Sequence, residues 1–113
     1  MNHNQELRQQ LENMLVKRQA HMTFEDAVAG FPEAHVNTRP PHVDYSFWHL
    51  LEHLRICQYD ILDYIRNSGY QTLEFPDGYW PAKEADTDLA GWQRTIDLFL
   101  ADRQALVDII NDP

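Results

Sequence analysis

Residues 45–67 read YSFWHLLEHLRICQYDILDYIRN. The stretch has no Pro or Gly, and it holds two of the six histidines, the only cysteine and one of the three tryptophans. Phe47, Leu50, Leu51, Leu54, Cys57, Ile61 and Ile65 recur at steps of three and four. That is the repeat of an amphipathic helix, not of a strand. Trp48, Ile56 and Tyr59 fall off the stripe, so more than one face is apolar. A helix apolar on several sides is central in a bundle or shared with a partner subunit. Asp44 or Ser46 is the expected N-cap. The helix should end near Ser68-Gly69, with glycine at positive φ.

Toward the N-terminus, Leu7, Leu11, Met14, Leu15 and Arg18 predict a first helix from Asn4 to about His21. Thr23-Phe24-Glu25-Asp26 resembles a capping box, with Asp in its last position. A short helix from Phe24 to Ala29 should follow and stop at Gly30. Glu33 to Asp44, with His35, Pro40-Pro41 and His42, reads as a linker. Toward the C-terminus, residues 70–86 are irregular yet crowded with Tyr70, Phe75, Tyr79 and Trp80. Pro76-Asp77-Gly78 is a turn signal, Pro setting φ and Gly supplying a positive φ. This aromatic segment is expected to lie across the helices, with Trp48 and Trp80 mostly buried. Leu89, Trp92, Ile96, Phe99, Leu100, Leu106, Val107 and Ile110 place a last helix over Thr87 to Asn111, capped by Asp86, Thr87 or Asp88. The expected fold is one all-α domain over residues 1–113, an up-down bundle of three long helices and one short one.

Composition narrows the function classes. A net charge of −9 and a pI near 4.9 oppose nucleic-acid binding through a basic surface, and there is no Lys/Arg run for an anionic membrane. One cysteine cannot form an internal disulfide, which points to a reducing, cytoplasmic setting. The N-terminal residues are polar and lack a signal-peptide core.

The residues able to do chemistry cluster on the central helix. His49 and His53 are four apart, so their side chains are neighbours that could share a metal. A zinc site needs at least a third protein ligand. His53 lies nearer the apolar stripe, beside Cys57 and Tyr64, and is expected to be half-buried and hydrogen-bonded. His49 is expected on the solvent side. Glu52, Asp60 and Asp63 could serve as acid/base or supporting groups, but a solvated face is the expected reading. Cys57, in the stripe without a neighbouring Lys, reads as an inert thiol. Gly-rich phosphate loops and Gly-x-Ser-x-Gly are absent.

The run SFWHLLEHLRICQYDILDYIRN followed by EFPDGYWP, with AHMTFEDAVAGFP and RPPHVDYS upstream, resembles the DinB-like family, also grouped as YfiT-like metal-dependent hydrolases. The resemblance implies a four-helix bundle, often dimeric. It implies a zinc or nickel ion held by three histidines, and enzymes that include transferases and isomerases using low-molecular-weight thiols. The family ligand on the second long helix matches His53. The other two belong to an HxxxH pair on a further helix that has no counterpart up to Pro113; His21 and His42 could approach such a site, though the family motif does not oblige them to bind metal. Two expectations follow: a metal-dependent hydrolase or thiol transferase with an incomplete site, or a non-catalytic helical protein acting through association. A bundle short of one helix should expose an apolar groove, lined by Leu50, Leu54, Ile61, Ile96, Phe99 and Ile110. Either a second copy covers it in a homodimer, or the Phe24–Ala29 helix plugs it.

Overall fold

The computed structural model describes residues 3–17 and 23–112. Four helices pack together: α1 (His3–Val16), α2 (Phe24–Val28), α3 (Phe47–Arg66) and α4 (Leu89–Asn111). Two 3-10 turns, Glu33–His35 and Asp77–Tyr79, sit in the connections. Among the described residues there is no strand. Three long helices and one short one match the reading of the sequence. The last part of the expected first helix, including His21, lies outside the described residues.

The caps explain the boundaries. The Thr23 side chain accepts from the Asp26 amide, and the Asp88 side chain from the Gly91 amide. Gly30 follows α2 at φ 68°, the left-handed conformation for which glycine is suited. Ser46, rather than Asp44, caps α3. Two glycines differ from expectation. Asn67 ends α3 in an extended conformation, so Gly69 needs no positive φ. Gly78 sits inside a 3-10 turn after the cis Phe75–Pro76 bond, again without positive φ.

The core joins α3 to α4. Val36, Leu51, Trp92 and Ile96 form its buried centre, flanked by Phe24, Val28, Phe31, Trp48 and Leu100. Leu62, Leu106 and Val107 are buried too. Val36 shows that the segment expected to be a linker is part of the fold. Asn37 fixes it in place: its amide donates to the Thr87 carbonyl at 2.7 Å and accepts from the Thr87 amide at 2.9 Å. Arg39 donates to the carbonyls of Lys83 and Ala85 at 2.7 and 3.3 Å.

Cross-helix bonds give the direction of the pair. Trp48 and Glu52 bond to Thr95, and Gln58 further along α3 bonds to the Phe99 carbonyl further along α4. The two helices therefore run the same way, which corrects the expected up-down order. The chain returns between them through the long connection from Asn67 to Asp88, a crossover of the kind some bundles use. Residues 70–86 of this connection form a strap across α3.

Candidate functional site

Two features of α3 stand out: the strap held by its histidines, and an open groove on another face.

The strap side is built from Ser46 upward. Its Oγ accepts from the His49 amide at 3.1 Å, while its own amide donates to His49 Nδ1 at 3.2 Å. This is a capping box with histidine in the place usually held by Glu or Gln. Because Nδ1 accepts, the ring proton belongs on Nε2, which donates to the Ala82 carbonyl at 2.8 Å. His49 is 0% exposed, contrary to its expected place at the solvent side. Its wheel position is as read; the strap covers that face.

His53 is half-buried and hydrogen-bonded, as expected. Its Nδ1 donates to the Tyr79 carbonyl at 2.7 Å. Its ring stacks on Trp80 at 3.7 Å with planes 7° apart, and Trp80 stacks in turn on Tyr45 at 4.3 Å. The HxxxH pair thus holds two carbonyls of one strap, three residues apart. Trp48 and Trp80 are mostly buried, as expected, each keeping a minor part of its surface exposed; Trp92 is the most deeply buried tryptophan.

Further along α3, Asp60 accepts from the hydroxyls of Tyr70 at 2.7 Å and Tyr79 at 3.4 Å. The bond to Asp60 pushes the Tyr70 phenol up, and burial followed by the Asp60 charge does the same at Tyr79. Burial, followed by Asp60, pushes the Cys57 thiol up, which disfavours the thiolate and fits the inert reading. Glu52 is no solvated residue: it takes a two-pronged ion pair from Arg55 at 2.6 and 2.7 Å and a bond from Thr95. Asp63 bonds Asn67 at the helix end.

The described residues do not by themselves assemble a metal centre. Among the described residues no group of three or more His, Cys, Asp or Glu could hold a metal ion. Cys57 Sγ lies 3.8 Å from His53 Nδ1 and 3.7 Å from Nε2. A sulfur nearly equidistant from both nitrogens is in line with neither lone pair. His42 is exposed on the Pro40–Val43 turn at φ 66°. His21 lies outside the described residues.

The second feature is a groove of about 510 Å³ between α1, α3 and α4. Leu11, Met14 and Leu15 form one wall, and Leu54, Ile61 and Ile65 the other. Phe99, Leu106, Ile109 and Ile110 of α4 complete it. Gln58 is the one polar residue in the lining, and its amide is tied to the Phe99 carbonyl. The groove forms because α1 packs on α4, leaving the α3 stripe uncovered. Four residues expected there, Leu54, Ile61, Phe99 and Ile110, do line it. Ile96 belongs to the core instead, and Leu50 is exposed one turn before Leu54. The expected plug is not in place: Phe24 of α2 stacks on Phe99 at 4.0 Å, yet the groove stays open. The α1 wall was missed because its stripe looked like an ordinary core face.

Fold and site define an all-helical bundle with a strapped central helix and an uncharged apolar groove. No family model, curated protein or solved structure matches the chain. Among the described residues no helix is long and apolar enough to cross a membrane.

Proposed function

We propose that this chain is a non-catalytic helical protein that acts by association, with the α1/α3/α4 groove as the seat for a partner surface. One observation carries the reading: a three-helix groove whose lining contains no ionisable side chain. A contiguous apolar surface of this kind on a soluble protein marks an interaction site. The experiment is titration with an environment-sensitive apolar dye at submicromolar protein. Binding that Leu54→Asp and Ile65→Asp each weaken is expected. Dye uptake indifferent to both would oppose the groove as the seat.

A second reading is a metal-dependent hydrolase or thiol transferase of the DinB-like kind, with zinc or nickel at His53. It is favoured by the bond from His53 Nδ1 to the Tyr79 carbonyl, an orientation common behind metal-bound imidazoles. A single ligand falls short of the three a catalytic zinc takes. Purified protein is therefore expected to carry no stoichiometric metal. Stoichiometric zinc or nickel removed by His53→Ala would favour the second reading.

A further inference from the structure

We infer that the occupant of the groove is a second copy of this chain, with α1 of each copy seated against α3 of the other. The inference rests on the association reading above and names its partner.

Three observations select a second copy. The first is area. The chain exposes 7934 Å², whereas a compact monomer of 13.3 kDa exposes about 6,450 Å². The excess, about 1,500 Å², exceeds the roughly 800 Å² each partner contributes to a standard interface. The radius of gyration, 16.0 Å, is likewise above the about 13 Å of a compact chain of this length.

The second observation is where the apolar part of that excess lies. Leu11, Met14, Leu54, Ile61, Ile65 and Ile109 line the groove and are each 37 to 72% exposed. Leu7 and Leu50, one turn earlier on the same two faces, are 46 and 47% exposed. Met14 is the most exposed of the eight and α1 has no buried residue. α1 is thus a wall that itself needs covering. α1 packs on α4 along one side only, and the α3 stripe of a second copy covers its remaining apolar face.

The third observation is charge. The chain carries −9, so a face that meets its own copy must bring no charge of its own to the contact. This lining brings none. Interfaces between identical chains are also more apolar than those between transient partners. A symmetric pair satisfies both α1 and α3 on each copy at once.

Sedimentation equilibrium from about 1 to 100 µM tests this with wild type, Leu11→Asp, Ile61→Asp and Ile61→Lys. Both sites are half-exposed in the single chain, so circular dichroism should show intact helices. Expected are a wild-type dimer, at least a tenfold weaker Kd for each variant, and partial recovery when Leu11→Asp is mixed with Ile61→Lys. Absence of recovery overturns the α1-on-α3 arrangement, and a dimer indifferent to all three substitutions overturns this face as the interface. A monomer whose groove still takes the apolar dye overturns the second copy but leaves the association reading standing. A monomer that takes no dye overturns both.

Discussion

His49 shows how one side chain ties two distant parts of this chain together. It closes the N-cap of α3 through Ser46 and holds the strap through Ala82, with no exposed surface. His49→Ala would orphan the buried Ser46 amide and release the strap at the exposed Ala82. A loss of about 3 kcal/mol in urea unfolding is expected; a loss below about 1 kcal/mol would show that the strap does not depend on this clamp. The sequence placed His49 correctly around the helix but not its cover. The Ala82 partner is 33 residues away, and helical periodicity carries no information about an irregular segment that folds back. His53 was legible because it borders the apolar stripe itself. His42 is a second case in which the backbone decides. Pro41 precedes it and the Val43 amide donates to the Pro40 carbonyl, so its φ of 66° falls at the turn position that favours glycine. His42→Gly should raise stability by about 0.5 kcal/mol, the αL penalty less the entropy of the unfolded glycine. A destabilised variant in the same unfolding assay would contradict that.

At the scale of elements, α2 is held from outside. It has no buried residue; Phe24 stacks on Phe99, and Arg103 donates twice to the Glu25 carboxylate at 2.8 and 2.6 Å. That hydrogen bonding holds the Glu25 carboxyl below its ordinary range. A carboxyl whose folded value is depressed contributes stability above its unfolded value, and the contribution fades as pH falls through the folded one. The Glu25 side chain is 48% exposed, so the contribution is small, about 0.5 kcal/mol. Glu25→Gln should cost that much at pH 7 and progressively less as pH falls through the depressed folded value, read from urea midpoints at each pH. A cost that does not change with pH would remove the ion pair as the cause. The strap is the other externally held element. Trp80→Ala removes the ring between Tyr45 and His53. About 2 kcal/mol is expected for this mostly but not fully buried residue, below the 3–5 kcal/mol of a fully buried one; a loss under about 0.5 kcal/mol would mean a loose strap. Helix existence was legible throughout, since Ser46, Thr23 and Asp88 cap where capping chemistry places them. Helix direction was not. Only the long Asn67–Asp88 connection hinted at parallel α3 and α4, and its length fits a crossover as well as a wandering loop.

The molecule as a whole is more open than its length requires, and the opening is apolar. The α3 and α4 stripes announced a groove through Leu54, Ile61, Phe99 and Ile110. The part played by α1 was illegible, because a helical stripe says which face is apolar and not which neighbour covers it. Here α1 packs on α4 and leaves Leu7, Leu11 and Met14 exposed. If the groove is where this chain associates, the order of α1 depends on a partner, while the α3–α4 core around Leu62 does not. Amide hydrogen exchange of His3–Val16, measured at about 1 and about 100 µM, reads that difference directly. Protection of α1 should rise with concentration while that around Leu62 stays constant. Protection of α1 that is the same at both concentrations would contradict the account.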